Sequence, residues 1–520
     1  MSPKGSDLPF VELDSWVYPI FDRLAALGYI HAEFLGIRPW TRAECAELVS
    51  EAGDNITDDS PSDVRQMYAV LLAEFEPEFT ASRKPSVHLE SVYGGVTGIQ
   101  DSPLNDSYHF GQTMINNFGR PYEKGFNSYD GFSAYASAGR FVIYTREEFQ
   151  HAPSASAYPL AVRQFIATVD DNPLRPAPPT ATTNQFRLLD TYVGVNLAGW
   201  ELSFGKQSLW WGPDQGGALM FSDNAEPVYM FRASRVIPFE LPWIFRRLGP
   251  IKLDAFFGKL SGNDFPPRPL IHGEKISFKP TPHLELGFSR TAEFSGVGRP
   301  LTFLSLFRSY TMFTSGYGEP PDQNPGKRMG GFDASYALPY LRNSLTIYGD
   351  ALSDDDPSPI ANPPRAALSA GFYMPRLPGL RKFDLRGEAV YTDAPNGETG
   401  GHYVYFDGFY HDLYTNKGNL IGSWIGREGT GFQGWMTYWA SPKNSIQFAY
   451  RHATISKNFI PSGESVTDGS VKVNWWLKND LSVSGSLQYE RWFAPILAAS
   501  PQLDWTSRVN ITFWPKNFHR

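Results

Sequence analysis

Leu481-Ser482-Val483-Ser484-Gly485-Ser486-Leu487-Gln488-Tyr489-Glu490 sets a mostly apolar series against a hydroxyl, amide or acidic one along its whole length. A period of two belongs to an extended strand, whose successive side chains point to opposite faces. The same alternation runs through Phe383, Leu385, Gly387, Ala389 and Tyr391 against Lys382, Asp384, Arg386, Glu388 and Val390. It recurs in Val471, Val473, Trp475 and Leu477 against Lys472, Asn474 and Lys478, and in Ile446, Phe448 and Tyr450 against Gln447 and Arg451. Each strand has one apolar face and one polar or charged face. A soluble sandwich alternates in the same way, so the period alone leaves two architectures standing.

The connections decide between them. Tight links fall near Ala138-Gly139, Ala198-Gly199, Arg246–Pro250, Thr281–His283, Pro339–Asn343, Met374–Arg381, Ser441–Asn444 and Lys478–Asp480. Between them lie long segments near 102–126, 150–185, 208–227, 260–273, 294–328, 353–365, 393–430, 454–469 and 493–503. Short turns on one side and long loops on the other are the mark of a bacterial outer-membrane barrel, and a sandwich has no reason to sort its loops so. The spacing predicts an all-β transmembrane barrel of roughly 18 antiparallel strands, an even number that is expected to put both chain ends on the short-turn, periplasmic side. A barrel of that size encloses an aqueous lumen. Lys252, Asp254, Lys275, Lys279, Asp384, Arg386, Glu388, Arg451, Lys472, Glu490 and Arg508 are candidates for its inner wall. Their mixed sign predicts ion pairs that fix the barrel against a plug, not a one-signed filter.

Ahead of the barrel the period is that of a helix. Trp16, Ile20, Phe21, Leu24 and Leu27 share a face, with Gly28 as C-cap. Thr41 with Glu44 makes a capping box for a second helix bearing Cys45, Leu48 and Val49. A third, from Ser60-Pro61-Ser62, carries Val64, Met67, Leu71, Leu72 and Phe75 and is expected to stop at Pro77. The organisation expected is a helical bundle over 1–85, in the periplasm, and a barrel over 86–520.

Composition agrees with this reading. Of 520 residues, 15% are aromatic and only 19% charged, with 47 Gly and 42 Pro. No apolar run reaches the roughly 18 residues of a membrane helix. The formal charge of −8, with no basic stretch, argues against nucleic acid as a partner. Cys45 is the single cysteine, which excludes an intramolecular disulfide and a cysteine zinc site. Met1–Asp7 has no apolar signal-peptide core, as a mature chain would not.

Several stretches resemble the capsule-assembly Wzi family. They are Gly205-Lys206-Gln207-Ser208-Leu209-Trp210-Trp211-Gly212-Pro213, then Phe221-Ser222-Asp223-Asn224-Ala225-Glu226-Pro227, then Ile271–Pro280, Gly287–Arg290 and Gly418–Trp424. Asp214 stands where the family usually has glycine. The resemblance covers most of the chain past residue 85. It implies an 18-stranded outer-membrane barrel with a periplasmic helical bundle, and a lectin-like role retaining capsular polysaccharide without turnover. Expected partners are capsular or other surface polysaccharide, outer-membrane lipid, and polysaccharide export machinery; no cofactor or metal is expected. In the N-terminal segment, Asp14-Ser15-Trp16, Leu24–Gly28 and Thr41–Glu44 resemble one S-layer homology repeat. On that likeness Arg42 would touch a periplasmic glycan; on the plainer reading Trp16 and Leu24 pack helices and Thr41 and Glu44 cap one.

Sugar rings need flat aromatics for their C–H face and Asp, Asn, Arg or His for their hydroxyls. One segment with that mix holds Tyr403, Tyr405, Phe406, Asp407, Phe409, Tyr410, His411, Asp412, Tyr414, Asn416, Trp424 and Arg427; another holds Trp210, Trp211, Asp214, Asp223 and Asn224. The structural alternative for both is a loop folded inward as a plug, or an aromatic girdle. Asp354-Asp355-Asp356-Pro357 could hold calcium or simply be solvated. Gly429–Gly434 matches a dinucleotide fingerprint, but a strand follows it where that motif needs a helix. His88-Leu89-Glu90 and His272-Gly273-Glu274 lack zinc spacing, and there is no nucleophile elbow or P-loop. A polysaccharide-binding barrel leads, a carbohydrate-permeable porin is the alternative, and an enzyme using Asp407 and Asp412 comes third.

Overall fold

In the computed structural model the alternating segments become an 18-stranded antiparallel sheet that closes on itself. The structure describes residues 9–80, 85–176, 179–311, 318–341, 345–354, 358–361, 363–394 and 404–515. Each strand pairs with its sequence neighbour, and the first, Ser86–Ile99, pairs with the last, Gln502–Phe513, from Val92–Phe513 to Ile99–Thr506. Closure leaves no free strand edge. The expected sorting of connections holds: 139–140, 198–199, 282–283 and 479–480 are tight turns at one end, while 100–124, 153–182, 208–227, 295–326 and 392–428 are loops at the other. One expected tight link is longer. Residues 236–250 form an excursion with a 3-10 turn at Trp243–Leu248.

Outward positions expose large apolar side chains, Phe126, Phe141, Ile143, Phe186, Phe204, Phe231 and Ile511 among them. Inward positions are polar and buried, as at Arg146, Glu148, Lys252, Asp254, Lys275, Asp350 and Glu490. Apolar outside and polar inside is the inverse of a soluble β-protein and fits a lipid-facing wall. Among the described residues, no helix is long and apolar enough to cross a membrane. Gly429–Trp439 is a wall strand, so the nucleotide fingerprint is coincidental.

Three helices, α1 (Val17–Ala26), α2 (Arg42–Asn55) and α3 (Ser62–Thr80), pack around Phe21, Leu24, Trp40, Val49, Met67, Leu71 and Phe75. The capping box is present: Thr41 Oγ1 accepts from Glu44 N (3.2 Å), and Thr41 N donates to Glu44 Oε2 (2.7 Å). Pro77 does not stop α3, which runs on to Thr80. Proline forfeits only one amide, and the carbonyl it would have met belongs to exposed Ala73, where water can serve it.

The helices sit inside the barrel at the short-turn end. Lys252 pairs with Glu44, Lys279 with Glu33 (3.2 Å), Arg386 with Asp22 (3.5 Å) and Arg146 with Asp14 (2.9 Å). Within the wall, Arg232 pairs with Asp254 (2.8 Å), Lys275 with Asp333, and Arg451 with Asp468 and Glu490. The expected ion pairs are there, but many inner-wall carboxylates do something else. Glu285 accepts from Leu35 N (2.8 Å) and Gly36 N (3.0 Å), Glu388 from Gln215 N (2.7 Å) and Gly216 N (2.8 Å), Asp350 from Leu219 N (2.7 Å) and Glu293 from Tyr414 N (3.1 Å). Carboxylates on the wall grip the backbone amides of whatever fills the lumen, through charge-assisted bonds. Lys472 and Arg508 stand apart from this network, with no carboxylate partner among the described residues.

Candidate functional site

The two sequence segments chosen for sugar contact enter the lumen from the long-loop end. Trp211 is 1% exposed, wedged against Phe221 and Phe256, with Nε1 donating to Asp254 (3.0 Å). Trp210 is buried, and its Nε1 donates to Asp214 O (3.1 Å). Its backbone exchanges two hydrogen bonds with Arg38, both 3.0 Å, so loop and helical segment meet in mid-lumen. Gly212 is needed at this crossing: its φ is +151°, and a Cβ would lie 2.9 Å from Asp350 and 2.7 Å from Ala218. Asp214 is buried and accepts from Ser369 Oγ (2.5 Å); burial, then Glu388 and Asp350, push its carboxyl well above the usual range. Asp223 is buried and raised likewise, by burial and then by Asp14 and Asp190. Asn224 is buried, donating to Leu420 O (3.3 Å) and accepting from Asn116 N (3.2 Å).

The second segment locks over the first. Tyr405 and Tyr414 are fully buried and stacked at 5.6 Å, their hydroxyls donating to Leu219 O and Met220 O. Tyr410 and Trp424 are buried, the latter beneath the Arg451 guanidinium at 5.4 Å. Arg427 is 1% exposed, paired with Asp170 (2.7 Å) and stacked on Tyr108 and Phe459. Tyr403, and Asp355–Pro357 of the calcium candidate, lie outside the described residues; Asp354 is buried and paired with Lys327 (2.9 Å). Three of the stretches behind the family resemblance, 205–213, 221–227 and 418–424, meet here. Glu226 holds Lys206, Arg187 (2.7 Å) and Lys417 (2.8 Å), and Ser222 donates to Gly422 O (2.6 Å).

The inward-folded alternative therefore describes Trp210, Trp211, Asp214, Asp223, Asn224, Tyr405, Tyr410, Trp424 and Arg427, all of which are buried. Arg42 is also spent internally. Its guanidinium binds Glu78 (2.5 Å), Glu74 (3.4 Å) and Glu74 O (3.1 Å) and lies over Phe75.

Among the chosen residues, Asp407, Phe409, His411 and Asp412 come together at the surface, where they join others that sequence reasoning missed. Asp412 and Asp264 clamp Arg175, at 3.0 and 2.9 Å, and Asp264 N donates to Asp412 (2.7 Å). The Arg175 guanidinium lies 5.0 Å from the Phe265 ring, and Phe265 stacks on His411 at 6.1 Å. His411 lies 2.8 Å from Asn172 Oδ1 and 2.9 Å from Gly408 O. Asp407 accepts from Phe409 N (2.8 Å) and Tyr410 N (2.9 Å), turning exposed Phe409 outward under Arg299 at 5.0 Å. This crown of aromatic faces, guanidiniums and carboxylates draws on four loops. The sequence pointed to its 404–412 part through the aromatic, histidine and carboxylate mix, and Asp264-Phe265 next to two prolines was a further local signal; that Arg175 and Arg299 meet them is a matter of topology.

Beneath the crown, helix α4 (Leu160–Val169) ends at Asp170, which binds His109 (2.8 Å) as well as Arg427. Burial alone would keep the His109 ring neutral, but Asp106 and Asp170 push it up to about 10. Asp170 is held below the usual carboxylate range, against burial, by His109 and Arg427.

A closed antiparallel barrel with an apolar outer wall, filled from one end by helices and from the other by loops, is a plugged membrane barrel. The chain belongs to the family described as capsule assembly protein Wzi, which matches residues 96–506. An uncharacterised 55.8 kDa protein in the cps region of Klebsiella pneumoniae is 30% identical over 177 residues. That match takes in 33% of this chain and 34% of the relative's length. The solved structure of Wzi from Escherichia coli, described as an outer membrane protein involved in group 1 capsule assembly and a carbohydrate-binding β-barrel, superposes with a TM-score of 0.70. It is 17% identical and the superposition covers 98% of this chain and 99% of that one, which shows the shared fold. The outer membrane protein OprD of Pseudomonas aeruginosa aligns more loosely, at a TM-score of 0.44 and 9% identity over 82% of this chain and 93% of that one. The chain is thus an outer-membrane β-barrel of the capsule-assembly family.

Proposed function

We propose that this protein is a lectin-like anchor that holds capsular or other surface polysaccharide at the cell surface, binding without turnover. The crown is its binding face, with Phe265, Phe409 and His411 as ring platforms and Arg175, Asp264, Asp407 and Asp412 serving the hydroxyls. The helical bundle lies on the periplasmic side, where polysaccharide export machinery is the partner it would meet. The observation that carries this reading is the filled lumen. A backbone bridge between Arg38 and Trp210 joins the plugs from the two ends, which favours holding over passage. Against acid–base work by Asp407 and Asp412, both carboxylates are already committed, one to two backbone amides and the other to Arg175 and Asp264 N.

The test is retention of purified surface polysaccharide by immobilised protein. Phe265→Ala, Phe409→Ala and Arg175→Ala together are expected to lower it at least tenfold while the barrel stays folded. Phe409 and Arg175 are exposed, so their truncation removes a face and not a core. Undiminished binding by that folded triple variant would remove the crown as the site.

A further inference from the structure

Loop 295–326 contains helix α5 (Phe303–Thr311), whose faces are reversed relative to a helix that packs on a protein core from water. Ser305 and Ser309 are buried, while Phe303, Leu304, Phe307 and Tyr310 are exposed, Phe303 to 84%. Small hydroxylated residues inward and aromatics outward suit a helix whose outer surroundings are apolar.

Register fixes where it lies. Lys275 and Lys279 point into the lumen, toward Asp333 and Glu33, so by alternation His272 and Glu274 face out. Glu285 and Glu293 also point in, so Arg290 of the next strand, Leu284–Phe294, faces out. Arg290 stands four residues from the outer end of that strand. For strands rising about 3.4 Å per residue at a tilt of about 40°, that is about 10 Å below the rim. Lipid-facing charges at that depth are costly unless satisfied. Helix α5 satisfies them: Arg290 donates to Tyr310 O (2.6 Å) and Ser309 O (2.9 Å), capping the last turn. His272 stacks on Tyr310 at 3.9 Å and lies 3.0 Å from Ser309 Oγ and 2.8 Å from Glu274. At its start, Thr302 Oγ1 accepts from Ser305 N (3.0 Å). The helix therefore lies against the outside of the barrel, and its apolar face continues into Ile276 and Phe288, exposed on the wall below. At the opposite rim of this wall, link 236–250 exposes Trp243, Ile244 and Phe245 to 92%, 75% and 56%, followed by Arg246 and Arg247.

We propose that α5 is a lipid anchor: Phe303, Leu304 and Phe307 are embedded in acyl chains of the outer leaflet, and Trp243–Phe245 are their counterpart in the inner one. The two sets of side chains would fix the depth of the barrel along this wall.

Cys45 is fully buried, so a cysteine introduced at the surface can be labelled selectively. Phe303→Cys and Trp243→Cys, each carrying an environment-sensitive NBD label, are compared with Lys457→Cys, at an exposed position in loop 456–463. Full-length protein is reconstituted in phosphatidylethanolamine–phosphatidylglycerol vesicles, with and without brominated acyl chains. Both wall labels are expected to emit at shorter wavelength and to lose intensity several-fold with brominated chains, while aqueous iodide quenches only the reference label. Iodide quenching at position 303 equal to the reference would place that face in water and overturn the anchor. Protection of position 303 from both quenchers, as a second copy or another protein would give, would overturn it equally. Phe303 and Trp243 protrude, so the variants are expected to keep the heat-dependent gel mobility of the folded barrel.

Discussion

His109 shows how one side chain can hold a surface together. It bridges Asp106 at the start of one loop and Asp170 at the end of α4, and Arg427 of a third loop completes the cluster. A histidine raised from an ordinary value near 6.5 to about 10 stabilises the folded form fully below pH 6.5, and the contribution fades as pH rises through 10. Melting temperature should accordingly fall as pH is raised from 6.5 to 10, and His109→Gln should flatten that dependence. The variant should also cost on the order of 3 kcal/mol at neutral pH, since it strips a buried ion-pair cluster of one charge. A wild-type profile unchanged over that range would contradict the cluster. The same scale shows why the binding site was hard to read. Trp424 and Tyr405 have the composition of a sugar platform and the surroundings of a core, and composition cannot tell the two apart. Burial decides, and burial depends on which way a loop folds.

At the level of elements, helices and strands were legible, and the grip between them was not. The capping box at Thr41 and Glu44 and the two-residue alternation of Leu481–Glu490 are local signals, and both appear in the structure where expected. Lys252 and Lys279 were recognised as lumen charges, but their partners Glu44 and Glu33 lie more than two hundred residues away. The amide partners of Glu388 and Asp350 could not be read at all, because backbone N–H groups carry no sequence signature. Arg42, singled out for a glycan, instead ties α2 to α3. Lys252 offers a direct test of the grip. Lys252→Met leaves Glu44 without its buried partner and should destabilise the protein by about 3 kcal/mol. Adding Glu44→Gln to that variant should recover most of the loss, and the coupling appears in a double-mutant cycle on thermal unfolding. Independent, additive losses would show that the pair does not join bundle to wall.

For the whole molecule, the question is whether an 18-stranded barrel must conduct. Its width would permit a water-filled channel, and the sequence left a carbohydrate porin as the alternative for that reason. What the sequence could not supply was the traffic through the middle. The segment at Leu35–Arg38 comes up from the bundle and is held by Glu285, while Trp210–Leu219 comes down from the loops and is held by Glu388 and Asp350. The two are hydrogen-bonded to each other. Each plug is anchored to the wall independently, so loss of one does not release the other. In a planar bilayer the intact protein is expected to show no conductance steps. A chain without residues 9–80 should gain at most small and unsteady ones, because loops 208–227 and 404–428 still cross the lumen. Large, stable steps from the intact chain would mean that the loops swing out of the lumen in the membrane. The aromatics now buried around Trp211 and Tyr414 would then line a pathway, and the porin reading would replace the anchor.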